Sequence, residues 1–428
     1  MRKNQTDKLR LAIIGLGYVG LPLAILFQSK GFDVLGIDNS MEKLECIKSG
    51  KSYLSDFTDD EFKRLSESIN FNTSTTYEGI RSVNVCILCV PTPLNKQFEP
   101  DMQYIESAID SISPFLGNGQ LIILESSTYP GTTEQFVLPK LIEKGLKIKT
   151  DFLLGYSPER IDPGNSSYEL KSIPKLISGV TEECKQKIEM LYSQVFDRTV
   201  LVSSPVVAEM TKLLENTQRF INISFINEMA ILCNGLKINI WEVLEAADTK
   251  PFGFTKYSPG PGIGGHCIPV DPLYLSWRAA QQGMGSKFID VSKKINDEMP
   301  HYIIKRIREL LEVNKQLQFN NGKLLVIGLT YKKDVNDVRE STALTIFKKL
   351  LKEVASVDYY DPFIPEIYID GRSYSSISTI NENLQDYDCV VILTNHSNID
   401  YQYLVKNSNI IFDTRNQIKG KNPNVIAL

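Results

Sequence analysis

Histidine and tryptophan are scarce in this chain: three histidines (His266, His301, His396) and two tryptophans among 428 residues. So few imidazoles argue against a histidine-rich zinc site and leave little material for a Ser-His-Asp triad; no metal is expected. The seven cysteines, at 46, 86, 89, 184, 233, 267 and 389, are odd in number and scattered. That fits reduced thiols better than a disulfide framework. A basic excess is also missing: 47 Lys and Arg face 51 Asp and Glu, for a net charge of −4. Nucleic-acid binders usually carry a basic stripe, so no nucleic-acid partner is expected, and an anionic small substrate needs its positive charges concentrated locally. Long hydrophobic runs are absent too. Lys8 and Arg10 precede an apolar stretch, Leu11 to Phe27, but Pro22 and three glycines interrupt it and no small-residue cleavage site follows. It is also short for a membrane span. The chain is expected to be cytoplasmic, with no membrane partner.

What is present is the composition of a globular protein, 42% hydrophobic and 23% charged, long enough for two or three domains of roughly 150 residues. In the first part, apolar runs at Leu9–Ile14, Asp33–Ile37, Val83–Val90, Leu121–Leu124, Phe152–Leu154 and Leu176–Ser178 alternate with helical stretches. This predicts a parallel, doubly wound sheet that presents ligands at the carboxyl ends of its strands. Ser204, a candidate N-cap, and Pro205 then open a stretch without a helix breaker until Asn234-Gly235. A spine helix roughly 45 Å long is predicted there. Met210, Leu213, Leu214, Phe220, Ile221 and Phe225 are spread around it, so much of it is expected to be buried. More helix is expected at Trp241–Ala247 and Lys287–Leu311. Strands at Lys323–Ile327, Ser356–Tyr360, Cys389–Leu393 and Asn409–Phe412 predict a second, smaller sheet. The fold class is therefore α/β, two Rossmann-like doubly wound domains joined by a long central helix. The expected domains are 1–203, NAD-binding; 204–315, central and helical with the cysteine loop; and 316–428, the second Rossmann-like domain.

Gly15-Leu16-Gly17-Tyr18-Val19-Gly20 is a G-x-G-x-x-G pattern, weak evidence alone. Here it follows a strand, opens an apolar helix, and is followed by Asp38 at the end of a second strand. Gly15 would make the tight turn, Gly17 admit the pyrophosphate and Gly20 pack helix on strand. The helix N-terminus supplies N–H donors for phosphate. Asp38 would accept from the adenosine ribose and repel a 2′-phosphate, so the cofactor expected is NAD. Further loops at predicted strand ends carry Thr92, Glu125-Ser126-Ser127-Thr128 and Pro158-Glu159-Arg160.

Ser258–Pro272 packs four glycines and four prolines into fifteen residues around Cys267 and Asp271. Such a backbone forms a shaped loop rather than a regular element, suited to bringing main-chain groups close to a ligand, and Asp271 would cap a helix starting at Pro272. Cys267 is a candidate nucleophile provided a nearby cation or donor lowers its pKa; the alternative is a packed thiol, as taken for the other six. Cys86 and Cys89 share a C-x-x-C spacing, but on a strand their side chains would point to opposite faces. Lys212 and Asn216, four apart, project from one face of the spine helix, where a lysine is ordinarily a solvated surface charge.

Together these blocks, with Tyr331-Lys332-Lys333-Asp334 and Asp337-Val338-Arg339-Glu340-Ser341, resemble the UDP-glucose/GDP-mannose dehydrogenase family over essentially the whole length. The resemblance implies a four-electron oxidation of a nucleotide sugar's C6 alcohol to a carboxylate with two NAD⁺. It implies that Cys267 attacks the aldehyde-level intermediate, that Lys212 and Asn216 stabilise the anionic oxygen, and that Asp271 positions water or moves a proton. Glu159 would be the base for thioester hydrolysis, and Thr128 would orient the alcohol or water. Gly15, Gly17, Tyr18, Val19, Gly20, Asp38, Thr92, Thr128 and Arg339 would contact NAD. Glu159, Arg160, Lys212, Asn216, Tyr257, Gly264 and Lys332 would contact the substrate. Pro163 and Val270 stand where UDP-glucose enzymes carry an acidic residue and a lysine. This resembles the UDP-N-acetylhexosamine branch, and Pro251–Tyr257 resembles its N-acetylglucosamine members, with N-acetylmannosamine or glucose as the alternative sugars. A homodimer through the central helix is expected. A two-electron dehydrogenase and a non-catalytic nucleotide-sensing module are the competing readings; the first would not need Cys267, and the second fits poorly with Lys212, Asn216, Cys267 and Asp271 all in place.

Overall fold

The computed structural model describes residues 9–54, 56–161, 168–380 and 383–428; Lys8 and Pro163 lie outside the described residues. The chain divides into two compact units, one running to Glu215 and including Leu273–Met284, the other formed by Asn216–Pro272 and Gly285–Leu428.

The first unit holds β1 (Arg10–Ile14), β2 (Asp33–Ile37), β3 (Phe71–Ser74), β4 (Val85–Leu88), β5 (Gln120–Leu124), β6 (Phe152–Tyr156), β7 (Lys175–Gly179) and β8 (Thr199–Leu201). They form one sheet in the order β3-β2-β1-β4-β5-β6-β7-β8. Runs such as Leu11–Ile14 and Leu121–Leu124 are apolar at every position because helices cover both faces, and successive residues enter opposite cores: Leu11 and Ile13 one, Ala12 and Ile14 the other. Cys86 and Cys89 likewise fall into different cores. Every pair is parallel except β6 with β7, where Gly155 faces Gly179 and Tyr156 faces Ser178. Among the described residues that connection carries only a short turn of 3₁₀ helix, Leu170–Ser172. Without a crossover helix the chain comes back antiparallel.

Register sets the site. Ile14 pairs with Ile37 and Leu88, Leu88 with Leu124, and Leu124 with Tyr156. The loops after β1, β2, β4, β5 and β6 therefore leave one edge of the sheet together, and strand order reverses between β1 and β4, the place where such folds bind ligands.

The second unit carries β9 (Lys323–Ile327), β10 (Ser356–Tyr360), β11 (Glu366–Ile369), β12 (Arg372–Ser375), β13 (Cys389–Ile392), β14 (Ile411–Asp413) and β15 (Val425–Ala427). Five form a parallel sheet, β10-β9-β13-β14-β15, while β11 and β12 make a separate hairpin. The helix Lys287–Asn314 lines its core with Ile303, Ile304, Ile307, Leu310 and Leu311.

The spine helix is Pro205–Gly235, with Ser204 Oγ accepting from Val207 N at 3.4 Å. Its burial departs from expectation. Leu213 and Phe220 are buried, whereas Met210, Leu214 and Phe225 are exposed, Leu214 by 57%. With Val207 and Leu232 they recur at helical spacings, so the exposed apolar side chains gather in one stripe. Among the described residues no helix is long and apolar enough to cross a membrane.

Candidate active site

The glycine turn of the first unit is shaped by two close approaches and one open position. Gly15 adopts φ +93°, and a Cβ there would lie 2.5 Å from Cys89 O; a Cβ on Gly20 would lie 1.9 Å from Gly15 O. A Cβ on Gly17 would meet nothing within 4 Å, so the one open position is the one facing away from the protein. The helix that follows, Gly20–Ser29, has no side-chain cap and no acidic residue in its first turn. Leu21 N and Leu23 N donate back to Gly17 O and Val19 O and Pro22 has no N–H, so the Gly20 N–H and the positive dipole end are what this turn offers an anion. Tyr18 and Val19 in this turn are half-buried. Asp38, buried, accepts from Leu16 N at 2.8 Å and Ser40 N at 2.9 Å and pairs with Lys43 Nζ at 3.0 Å. This is a rigid anionic end to β2, and these residues fit NAD: an open glycine for the pyrophosphate and a fixed carboxylate for the ribose.

At the same sheet edge Thr92 is buried and its carbonyl accepts from Tyr274 Oη at 2.8 Å. Thr128 is fully buried, and its Oγ1 has no hydrogen-bond partner among the described residues. Such an orphan is rare unless a ligand completes it. Glu159 is buried, with Oε1 accepting from Arg160 N at 2.6 Å and Ile161 N at 2.8 Å, and Oε2 3.0 Å from Lys175 Nζ. Arg160 forks onto Glu215 of the spine helix, Nε to Oε2 at 3.1 Å and Nη2 to Oε1, and Nη1 donates to Pro174 O at 3.0 Å. One turn before Glu215, Lys212 is 6% exposed and makes no hydrogen bond or ion pair among the described residues. The stem is thus enclosed, while the ammonium is not among the buried atoms left without a partner and is accessible to an incoming group; this lysine is not the fully solvated surface charge that spacing alone favours. Glu209, on the same helix, is fully buried and caps the turn after Thr128, accepting from Gly131 N at 2.6 Å and Thr133 N at 2.8 Å. Burial pushes its carboxyl up to about 7 against those hydrogen bonds.

In the second unit, asparagines hold the cysteine loop at three points. Asn227 Oδ1 takes Gly260 N at 3.0 Å, Asn296 Oδ1 takes Ile263 N, and Asn216 Nδ2 donates to Asp271 Oδ2 at 2.6 Å. Asp271 is itself the first residue of the helix Asp271–Ala280, one position earlier than expected. Cys267 is half-buried, and its carbonyl accepts from Asp271 N at 2.9 Å and Val270 N at 3.2 Å. Three of the loop's glycines make close approaches within the second unit. A Cβ on Gly264 or Gly265 would fall 2.9 or 2.8 Å from Tyr331, and one on Gly260 2.6 Å from the Arg415 guanidinium. They let the loop pack on the second sheet's loops. His266 is pushed down to about 4 by burial and by the Arg339 charge, against the opposing pull of Asp337. It is therefore neutral near pH 7 and supplies no cation to its neighbour Cys267. Arg339 grips Asp337 through Nε at 3.0 Å and Nη2 at 2.7 Å. Lys332 is half-buried, with its carbonyl accepting from Thr330 Oγ1 at 2.8 Å, and Tyr257 packs half-buried against the second unit's core. Val270 is buried. Among the described residues no cluster of His, Cys, Asp and Glu is arranged to hold a metal.

Sequence reading missed Lys175, Asn227, Asn296 and Arg415. Asn296 interrupts the apolar stripe Ile289, Met299, Ile303 of its helix, a signal visible in the pattern. Arg415, two residues after Asp413 at the end of β14, donates Nε–H to Leu393 O at 2.8 Å, and burial pulls it down to about 10.

Three family models match in order: UDP-glucose/GDP-mannose dehydrogenase family, NAD binding domain at residues 9–196, central domain at 206–298 and UDP binding domain at 325–420. A UDP-N-acetyl-D-glucosamine 6-dehydrogenase of Salmonella typhi is 33% identical over 417 residues, covering 96% of each chain. A UDP-N-acetyl-D-mannosamine dehydrogenase of Pyrococcus horikoshii is 35% identical over 421 residues, again covering 96% of each. A solved structure of UDP-D-ManNAc dehydrogenase from Pyrococcus horikoshii superposes with a TM-score of 0.87 at 32% identity, covering 98% of each chain.

Proposed function

The chain belongs to the UDP-glucose/GDP-mannose dehydrogenase family, and on that premise we propose that it oxidises the C6 alcohol of UDP-N-acetyl-D-glucosamine to a carboxylate, with Cys267 as nucleophile. It is an NAD-dependent oxidoreductase of nucleotide sugars. The observation that carries the mechanistic reading is Lys212, a side chain 6% exposed with no counter-ion among the described residues: an uncommitted cation in an enclosed place is available to an anion. Thr128, whose buried hydroxyl is also unpartnered, supports it.

NAD, when bound, accepts a hydride in each of two oxidations. Thr128 orients the substrate hydroxyl. The Cys267 thiolate adds to the aldehyde carbon, forming a C–S bond while the carbonyl electron pair moves onto oxygen. Lys212 and Asn216 steady that oxyanion by charge and hydrogen bonding. Covalent capture keeps a reactive aldehyde from escaping before the second oxidation makes the thioester. Water then adds to the thioester, its proton passing to Glu159; the C–S bond breaks and the thiolate returns to Cys267. Asp271, held by Asn216 at 2.6 Å, positions the water. Arg339 and Lys332 contact NAD and UDP phosphates respectively.

Replacing Cys267 by Ser is expected to leave ligand binding intact and lower turnover by 100-fold or more; wild-type turnover would end the nucleophile assignment. Two NADH per sugar separate this reading from a two-electron dehydrogenase, and any steady NADH formation excludes a sensing module. The assay belongs on UDP-GlcNAc, UDP-ManNAc, UDP-GalNAc and UDP-Glc in parallel, with UDP-GlcNAc expected to have the highest kcat/KM. Relatives named for each of the two sugars stand at 35% identity, so identity does not choose between them, and a UDP-ManNAc maximum would replace ours. We extend the proposal to a cytoplasmic homodimer packed through the exposed stripe of the spine helix; a monomer mass in sedimentation equilibrium would remove the dimer.

A further inference from the structure

The loops after β5 and β6 each carry a glutamate, and β7 starts with a lysine. Glu125 is 1% exposed and Lys175 2%. The Lys175 ammonium lies 2.7 Å from Glu125 Oε2, 3.0 Å from Glu159 Oε2 and 3.3 Å from Pro158 O. The rings of Tyr192 and Phe196 close over it at 5.4 and 5.3 Å.

Two carboxylates and one ammonium leave a negative excess in a water-free place, which is costly unless one carboxyl takes a proton. The two are supported unequally. Glu159 receives the cation on one oxygen and two backbone N–H groups on the other; Glu125 has the cation and the Tyr192 hydroxyl. Backbone N–H donors favour the anion, so Glu159 is the better supported carboxylate of the two. The other titratable groups agree. Burial pushes Glu125 up to about 7, with Lys175 opposing and Glu159 reinforcing. Burial, with Glu125 adding to it, raises the Tyr192 phenol, and burial with both carboxylates raises the Cys89 thiol, so both stay neutral. Burial pulls Lys175 down, but the two carboxylates outweigh it and keep it charged. Beyond the trio, Arg160 is committed to Glu215.

We propose that Lys175 is a positioning residue of the hydrolytic step, holding Glu159 as a fixed carboxylate able to receive the proton of the attacking water. The inference rests on the reading of Glu159 as that base. In the step, the water oxygen bonds to the acyl carbon, the C–S bond breaks with its pair going to Cys267 sulfur, and the water proton moves to Glu159. A carboxyl that already carries a proton cannot take it.

The test compares Lys175→Met with the double variant Lys175→Met/Glu125→Gln, which removes the second carboxyl along with the cation and so keeps the trio's formal charge while leaving Glu159 without its ammonium. Three readouts are followed: intact-protein mass for a sugar-acyl adduct on Cys267, pre-steady-state NADH, and the pH dependence of kcat. Both variants are expected to keep a burst of two NADH per site while steady turnover falls at least tenfold and the adduct accumulates. Removing a cation raises the pKa of the carboxylate beside it, so the acid limb of kcat should move to higher pH by about one unit. If Lys175→Met does not fold, the double variant carries the test alone. A purely structural lysine predicts that the variants that fold keep wild-type hydrolysis and an unmoved limb; that result overturns the proposal. Glu159→Gln is measured alongside. Adduct in Glu159→Gln without adduct or limb shift in the lysine variants defeats the Lys175 inference alone. No adduct in Glu159→Gln defeats the base reading and the inference with it.

Discussion

After β1 the N–H of Gly15 donates to Ile37 O at 2.7 Å; after β9 the N–H of Gly328 donates to Tyr360 O at 2.9 Å. Gly15 sits at φ +93° and Gly328 at +82°. Leu16 N reaches Asp38 Oδ2 at 2.8 Å, and Leu329 N reaches Asp361 Oδ2 at 2.7 Å. The same turn is thus built twice, once in each unit, from a strand, a left-handed glycine and an aspartate at the end of the neighbouring strand. The continuations diverge. In the first unit the helix starts at once, at Gly20, with no side-chain cap. In the second a loop from Gly328 to Ser341 intervenes, and Ser341 Oγ takes Leu344 N at 3.2 Å, so that helix is already capped. Asp361 is closed off as well. His396, fully buried, accepts Asp334 N on Nδ1 at 3.0 Å, which puts its ring proton on Nε2, 3.2 Å from Asp361 Oδ2. Phe363 packs on the imidazole at 5.0 Å. A Rossmann-like turn therefore does not by itself make a dinucleotide site. A helix end without a side-chain cap and an aspartate paired with a part-exposed lysine rather than a buried histidine are needed too, and only the first unit has both.

The largest effect that would break this comparison comes from glycine. Gly20→Val would press side-chain carbon onto Gly15 O, 1.9 Å from the Cβ position, and pry the helix from the strand. NAD affinity is expected to fall at least 100-fold by titration calorimetry. Gly328→Ala, whose Cβ would lie 2.5 Å from Thr394, should lower the melting temperature by several degrees and leave NAD affinity within twofold. Equal losses of NAD affinity would mean that the second turn also serves the dinucleotide.

How far the sequence revealed this follows from what each feature depends on. β2, β9 and β10 were legible to the residue, because apolar runs bounded by turn residues are a local signal. The strands β3, β8 and β15 and the β11–β12 hairpin were not: they are three or four residues long and several are polar, Phe71-Asn-Thr-Ser74 for instance. The glycine turn with Asp38 was readable from spacing, since backbone geometry demands those residue types there. Gly328 and Asp361 lack the second and third glycines, so the second turn was read only as a strand ending in glycine. Lys175 escaped because a lysine beside an apolar run reads as the solvated edge of a strand; its partner Glu125 is fifty positions away, at a distance only the sheet order β5-β6-β7 brings within reach. The exposed stripe of the spine helix was misread as core because composition does not tell which side of a long helix is covered.

The aspartates sharpen the comparison at smaller amplitude. Asp38 has one charged neighbour, Lys43, whose side chain is 37% exposed, so its carboxylate keeps capacity for a ribose hydroxyl. Asp38→Asn keeps one acceptor and loses the charge. A charge-assisted hydrogen bond contributes about 1.5–3 kcal/mol, part of which the amide retains, so NAD affinity should fall roughly tenfold. The penalty against NADP should shrink at the same time, because a neutral amide no longer repels a 2′-phosphate. Asp361 spends its acceptors inside the protein, on Leu329 N, Phe363 N and His396. Asp361→Asn should therefore reduce stability, read as a melting temperature a few degrees lower, while the ratio of NAD to NADP affinity stays at its wild-type value. If Asp361→Asn moved that ratio as far as Asp38→Asn does, the imidazole would not be closing the second turn, and the difference between the two units would need another cause.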